Sequence, residues 1–256
     1  DEVGAMVMDL GSSQTLFGYA GEDTAKVCIN SSLGISNNKK NKNNIQQYIG
    51  HNLTDYAIEF CDITHPIEHG QITNWSHIES MYQYVSNYLH INLSEHPLLI
   101  AEPSFRNSKE REEYTQLLFE NINSPAIFFA KDAVLSTFAQ GKSTGLLIDS
   151  GGGQSSITPV IDGFILSKSA HYTKIAGNFL NLTCERELFL NHSIEIVAPY
   201  QINQQINIKK KNNITSSFHQ YQCMKYIESL KEQYGALAMN GSNIDLNIQI
   251  PNKKCI

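Results

Sequence analysis

The sequence predicts an α/β fold with two related lobes around a cleft, and two observations carry this prediction. The chain repeats one phrase, a buried strand that ends in Asp-x-Gly, once at Ala5–Ser13 and again at Gly145–Gly153. Between the copies, apolar strands alternate with amphipathic helices, which implies parallel strand pairing with helical crossovers. A duplicated sheet unit joined by such crossovers places the two Asp-x-Gly corners on opposite sides of one cleft.

Each copy continues as a β-meander. In the first copy, the strand ending at Asp9 leads into a glycine-serine turn and then into the strands "TLFGYAG" and "AKVCIN". In the second copy, the strand ending at Asp149 leads into three glycines, the strand "SSITPVI", an Asp-Gly hairpin turn and the returning strand "FILSKS". The repeat therefore puts the same chemical group at the same corner of each lobe.

Helix and strand signals fill the region between the copies. The capping box Ser76–Glu79 predicts the start of one helix, and Asn107 with Glu110 predicts the start of another. The other elements are two strands, a third helix ended by a glycine, and two amphipathic helices after the second meander: Leu98–Ala101, Ala126–Ala130, Lys131–Gln140, "AGNFLNLTCERELFL" and "FHQYQCMKYIESLKEQY".

Composition excludes several classes of function. The net charge of −6 argues against nucleic acid as the main partner, and no apolar run approaches the length of a membrane span. The five scattered cysteines fit reduced intracellular thiols better than a disulfide framework. Two low-complexity stretches, Ser36–Asn44 and Asn203–Ser217, are predicted to be mobile surface loops.

The repeated corner predicts a phosphate site. Glycines let backbone N–H groups converge on an anion, and an aspartate at each strand end can hold water on a bound Mg²⁺. An ordinary turn is the competing interpretation for either copy alone, and the duplication favours a clamp on a nucleotide's phosphates.

Longer stretches resemble actin over nearly the whole chain. They are "HPIEHGQITNW" at His65–Trp75, "EHPLLIAEP", "REEYTQLLFENINSPA" and "AVLSTFAQGKSTGLLIDSGGG". Further phrases, such as "GYAGED", "DGFILSKS", "ERELF…IEIVAPY" and "FHQYQC", resemble the fourth class of nuclear actin-related proteins, found in chromatin-remodelling and histone acetyltransferase complexes.

The resemblance implies an actin-like ATPase fold with duplicated ribonuclease-H-like lobes around a nucleotide cleft. The first lobe is expected at 1–144, with a reduced small subdomain at about 31–62. A partial second lobe is expected at 145–256, with the Asn/Lys-rich loop at about 203–217. By the same comparison, the later segment that supplies the rest of the adenine pocket is expected to be missing.

The resemblance also implies a nucleotide site for ATP and Mg²⁺, which the isolated chain need not retain. The matching positions are Asp9, Gly11, Ser12 and Ser13 in the first loop, Asp149, Gly151 and Gly153 in the second, and Gly177, Lys231 and Glu232 near the adenosine. Asp9 and Asp149 are the expected metal-binding pair, through water. His69 matches the histidine that is methylated in actin, and an unmodified surface histidine is an equal alternative.

Three catalytic positions of actin are not kept. Leu16 occupies the position of the lysine that contacts the β- and γ-phosphates in actin. Asp132 occupies the position of the glutamine that orients the attacking water, and Ser156 that of the histidine that assists this water. Because phosphoryl transfer depends on positioning and charge stabilisation, hydrolysis is expected to be slow or absent, with no catalytic residue and no enzyme activity.

The expected function is that of a nuclear scaffold subunit. By the resemblance, its partners are the long helix of a remodelling ATPase, nuclear actin and other chromatin-complex subunits, with histones as a further candidate and no membrane. A polymerising actin-like ATPase and a sugar or acetate kinase are the alternatives. The Asn/Lys-rich stretch at Ser36–Asn44 argues against the first, and the His65–Trp75 signature argues against the second.

Overall fold

The structure is a computed structural model that describes residues 4–37, 45–203, 213–235 and 253–255. The chain divides into two compact units. The first contains residues 1–33, 49–52 and 64–177, and the second contains residues 34–48, 53–63 and 178–256. The boundary expected between 144 and 145 falls inside the first unit, and the two-lobe division stays a prediction.

Short strands and six helices make up the described part. The strands are β1 Met6–Leu10, β2 Gln14–Tyr19, β3 Val27–Asn30, β4 Leu33–Asn37, β5 Ile45–Ile49, β6 Cys61–Thr64, β7 Ile67–Glu68, β8 Gln71–Ile72, β9 Leu98–Glu102, β10 Ile127–Lys131, β11 Gly145–Ser150, β12 Ser155–Ile161, β13 Phe164–Ile165, β14 His171–Thr173, β15 Ile194–Ile196 and β16 Lys253–Cys255. The helices are α1 Trp75–Leu89, α2 Ser108–Gln116, α3 Asp132–Ala139, α4 Gly177–His192, α5 Pro199–Asn203 and α6 Ser216–Tyr234.

The first unit is centred on a five-stranded sheet of order β10-β9-β1-β2-β3. β1 pairs in parallel with β9, and β9 pairs in parallel with β10, while β2 and β3 add antiparallel strands on the other side. The prediction of parallel pairing through helical crossovers is therefore confirmed. Parallel pairing brings the carboxyl ends of β1, β9 and β10 to one edge, and that edge carries the first phosphate loop.

Helix α1 supplies much of the core of this unit. Its side chains Ile78, Met81, Tyr82 and Val85 recur at helical spacing and are completely buried against strand residues that include Met8. Full burial of each is worth about 1.5–3 kcal/mol relative to exposure. The helix begins earlier than the capping box predicted, since Asn74, and not Ser76, accepts the hydrogen bond from His77 N.

Helix α2 begins as predicted and ends unusually. The Asn107 side chain accepts a hydrogen bond from Glu110 N at 2.7 Å, which confirms the predicted cap. The expected continuous helix instead changes to a π-helical segment, Leu117–Asn121, which buries Leu117 and Leu118. The wider turn still places these apolar side chains in the core.

A second sheet of the first unit contains the repeated meander. β11 and β13 pair with β12, and β14 pairs with the first residues of β12. The predicted strand "FILSKS" is wrong beyond Ile165, where a 3₁₀ turn, Ser167–Ser169, follows. Leu166 N still donates to Pro159 O at 3.0 Å, and β14, which the sequence did not predict, pairs with Ser155–Ile157 at the other end of β12.

Equivalent positions of the two copies differ greatly in exposure. Met6 and Met8 on β1 are fully buried, whereas their counterparts Leu146 and Ile148 on β11 are 64% and 70% exposed. Within the described residues, β11 is hydrogen-bonded to β12 alone. The second sheet thus shows a strand of core-type sequence with an open edge and an open face.

The second unit has its own apolar cluster. Helix α6 contributes Phe218, Ile227 and Leu230, which pack with Cys61 of β6 and Tyr200 of α5. The sheet β5-β4-β6 belongs to this unit. Among the described helices of the whole chain, none combines the length and apolar character needed to span a bilayer.

The two predicted loops are shorter than expected. Ser36 and Asn37 belong to β4, with Ser36 Oγ donating to Glu59 O, and Thr215 caps α6 through a bond from Phe218 N. The remaining parts of both predictions, at 38–44 and 204–212, lie outside the described residues.

The difference in exposure between the sheets predicts unequal effects of the same substitution. Ile100→Ala, on fully buried β9, should lower the free energy of unfolding by about 2–5 kcal/mol because it leaves a cavity. Ile148→Ala, on exposed β11, should cost less than about 1 kcal/mol. Urea denaturation of both variants measures this, and equal losses would contradict the described packing.

Candidate functional site

The two Asp-x-Gly corners have the same backbone geometry. Gly11 N donates to Gln14 O, and Gly151 N donates to Gln154 O, each at 3.0 Å. Asp9 lies opposite Leu16 in its hairpin, and Asp149 lies opposite Ser156 in the other. The repetition predicted from the sequence is thus present in the hydrogen bonds and in the register.

The two turns, and His69 beside them, lie in direct contact. A Cβ atom built on Gly152 would be 2.6 Å from the Cβ of Ser13, and one on Gly153 would be 2.6 Å from the Cβ of Ser12. Only glycine allows this approach, so the glycines of the second turn are explained by the first turn.

A histidine strengthens the contact between the turns. His69 Nδ1 donates to Gly153 O at 2.8 Å, and Gly70 N donates to Ser12 Oγ at 3.0 Å. His69 adopts a left-handed backbone conformation with φ of 51°. His69, which the sequence predicted to be either modified or a plain surface residue, therefore links its own segment to the second glycine turn by a hydrogen bond.

Asp9 and Asp132 lie near enough to Asp149 for its charge to raise the pKa of both. Burial raises the pKa of Asp9, and the charge of Asp149 raises it further. Burial also raises the pKa of Asp132 to about 6, and the charges of Asp149 and Asp9 add to that rise. Hydrogen bonds from Ala133 N and from Ser104 Oγ, which lie 2.6 and 3.2 Å from Asp132 Oδ1, oppose the rise without cancelling it.

The ion pairs of the described residues leave these carboxylates out. In the described part of the chain, none of the ion pairs includes Asp9, Asp132 or Asp149. Leu16, at the position opposite Asp9, is 37% exposed and contributes no charge, and Ser156 is buried opposite Asp149. The cluster therefore carries excess negative charge that a cation would relieve.

This arrangement fits a hydrated divalent cation with phosphates. Among the described residues, no three His, Cys, Asp or Glu side chains are close enough to bind a metal ion directly. A cation between Asp9 and Asp149 would keep much of its water shell, as Mg²⁺ prefers. When bound, Mg²⁺ would offset the charge of both the carboxylates and the phosphates, without which the two groups repel each other.

The remaining site residues predicted from the sequence fall into two groups. Gly177 N donates to Gly151 O at 3.0 Å, so this glycine lies at the second Asp-x-Gly turn. Lys231 and Glu232 lie on α6 of the second unit, and their part in the site stays a prediction. Sequence reasoning missed Ser104, although its position after β9, the parallel neighbour of β1, was a usable signal.

A comparison with protein families decides what the chain is. The family model for actin matches residues 1–252. The chain belongs to the actin family. The actin fold expected from the resemblance is thereby confirmed.

Curated relatives narrow the comparison to actin-related proteins of the fourth class. Actin-related protein 4 of Yarrowia lipolytica is 29% identical over 91% of this chain and 58% of its own length. Actin-related protein 4 of Oryza sativa subsp. indica is 34% identical over 70% of this chain and 47% of its own length. The "SWI/SNF and RSC complexes subunit arp42" of Schizosaccharomyces pombe is 30% identical over 91% of this chain and 59% of its own length. The chain spans about half the length of these relatives.

The contact between the turns predicts opposite results for neighbouring glycines. Gly153→Ala should lower the free energy of unfolding by about 1–3 kcal/mol, because the new methyl group meets Ser12 and the His69 backbone. Gly151→Ala is the matched control, since its Cβ would meet only Gln154 O at 3.6 Å. Urea denaturation compares the two, and a tolerated Gly153→Ala would mean that the turns are not in contact.

The carboxylate cluster predicts a dependence of stability on pH. The pKa of Asp132 lies near 4 in the unfolded chain and about 6 in the folded protein. The folded state therefore loses stability as the pH rises from about 4 to about 6, and above pH 6 the loss is complete. Asp132→Asn should match the wild type near pH 4 and exceed its unfolding free energy by about 2 kcal/mol above pH 7.

Denaturant titrations between pH 4 and 8 measure this difference. Asp23→Asn, which removes the same charge from an exposed turn, is the control for net charge. A stability gap that shrinks as pH rises would contradict the burial of Asp132.

Proposed function

We propose that this chain is part of a nuclear actin-related subunit of a chromatin-remodelling or histone-modifying complex. One observation carries the proposal: relatives named actin-related protein 4, and one named as a subunit of the SWI/SNF and RSC complexes, match over most of the chain. The expected partners are the long helix of a remodelling ATPase, nuclear actin and other complex subunits, with histones as a further candidate.

The second part of the proposal is that the site binds ATP with Mg²⁺ for structure and hydrolyses it slowly or not at all. The paired turns supply closely approaching backbone, and Asp9 and Asp149 supply the water-mediated cation site. Hydrolysis needs charge neutralisation at the γ-phosphate, and Leu16 cannot provide it. Bound nucleotide would then hold the two turns together without being consumed.

A competing function has one observation in its favour. The pKa of Asp132, raised to about 6, is close to that of an effective general base at neutral pH. If a water molecule binds within reach of this carboxylate, the protein would be an actin-like ATPase, and filament formation would then also be expected. A water molecule positioned by Asp132 would still attack a γ-phosphate whose charge no lysine offsets. We therefore prefer the function in which ATP is bound for structure.

Partner capture tests the first part. A tagged chain expressed in its own cells should co-purify from nuclei with a remodelling ATPase and nuclear actin, and it should stay in the supernatant in salt and Mg²⁺ that sediment actin. Tagged conventional actin is the control for both assays. Sedimentation of the chain as filaments, without complex subunits in the nuclear fraction, would reject the scaffold function.

Single-turnover release of labelled phosphate tests the second part. The wild-type chain, and a longer form that spans the full length of its relatives, should retain bound ATP intact over hours. Leu16→Lys should strengthen nucleotide binding, since an ammonium group on the phosphates acts in the ground state. Release at an actin-like rate, abolished in Asp132→Ala, would establish the ATPase instead.

A further inference from the structure

An aromatic pair connects the two sheets of the first unit beside the carboxylates. Phe105 lies in the loop between β9 and α2, and Tyr172 lies on β14. Their ring centroids are 4.4 Å apart with an interplanar angle of 24°, the shortest ring separation in the described part of the chain. A stacked pair at this distance contributes attraction beyond the area that it buries.

Phe105 follows a residue that holds one carboxylate, and Tyr172 lies in register with another. Ser104, the residue before Phe105, donates to Asp132 Oδ1 at 3.2 Å. Tyr172 lies opposite Ser156, and Ser156 lies opposite Asp149. Directly opposed residues of antiparallel strands share a face, so Tyr172 and Asp149 are on the same face of the second sheet, roughly 10 Å apart across two strand spacings.

The residues on either side of Ser104 and Phe105 have anchors of their own. Arg106 is almost fully buried and forms a 2.9 Å ion pair with Glu110. Lys131 Nζ donates to Pro103 O at 3.3 Å. Loss of the aromatic pair would therefore affect Ser104 and Phe105 alone and leave the start of α2 in place.

We propose that Phe105 and Tyr172 are positioning residues that hold Ser104 against Asp132, so that their stacking sets how fast a bound nucleotide leaves. This inference rests on the proposed nucleotide site. The rings act through Ser104 and touch no phosphate. Opening the stack frees the Asp132 carboxylate to turn away from Ser104 and changes the charge that faces the cation end of the site.

The first measurement is nucleotide release. A fluorescent ATP analogue with Mg²⁺ is bound to the full chain and chased with unlabelled ATP. Phe105→Ala and Tyr172→Ala should each speed release about two- to tenfold with little change in the association rate, and the double variant should release no faster than either single variant. Tyr172→Phe keeps the ring and should restore the wild-type rate.

The second measurement needs no ligand. Ala133 N donates to Asp132 Oδ1, so hydrogen exchange of the Ala133 amide reports the orientation of that carboxylate. Exchange at Ala133 and at 104–107 should be faster in Phe105→Ala than in the wild type. Phe128→Ala is the matched control, because Phe128 is 65% exposed on the edge strand β10. It should change neither readout.

The two measurements separate this inference from the proposed function. Absence of nucleotide binding by the wild type would reject the nucleotide site, and the positioning role would then be decided by exchange alone. Unchanged exchange in Phe105→Ala, or equal effects of Phe128→Ala, would overturn the positioning role. Failure of Tyr172→Phe to restore the release rate would overturn the role of stacking.

Discussion

The close contact between two glycine turns is the constraint on which the rest of the site depends. The second turn approaches the first so closely that a methyl group on Gly152 or Gly153 would overlap Ser13 or Ser12. This contact brings the ends of β1 and β11 together, and with them the carboxylates of Asp9 and Asp149. The fold therefore places like charges side by side, an arrangement that is unfavourable until a cation joins them. The bond from His69 to Gly153 O stabilises the same contact from a third segment.

The charge balance of the predicted site differs from the actin pattern that the sequence resembles. Asp132 is a carboxylate where that pattern has a neutral glutamine, and Leu16 is uncharged where the pattern has a lysine. Both differences make the site more negative, so a divalent cation matters more for charge balance there. They are the reason for proposing that nucleotide is retained and not hydrolysed.

The sequence predicted the parts of the fold that depend on local pattern. Glycine signals placed the ends of two strands within one residue, at Asp9 and Asp149. A short polar signal predicted the cap at Asn107, and periodicity predicted the parallel pairing through helices. The start of α1 was predicted wrongly because Asn74 competes with Ser76 for the same role, and the Trp75 indole binds Glu113 of a distant helix. Strand β14 was not predicted, since a strand of three exposed residues has no apolar alternation and its pairing depends on β12. The contact between the turns and the position of Ser104 depend on tertiary packing, which no local pattern encodes.

Within the described residues, β11 pairs on one side only, and this has a consequence for handling the protein. Leu146 and Ile148 form an exposed, apolar, β-prone stretch on a strand whose described partner is β12. Such a strand is a template on which other chains can add, and it carries no lysine, proline or bulge of the kind that usually blocks this. Solutions of this polypeptide are therefore expected to become turbid with concentration and warming, by intermolecular β-pairing of otherwise folded molecules.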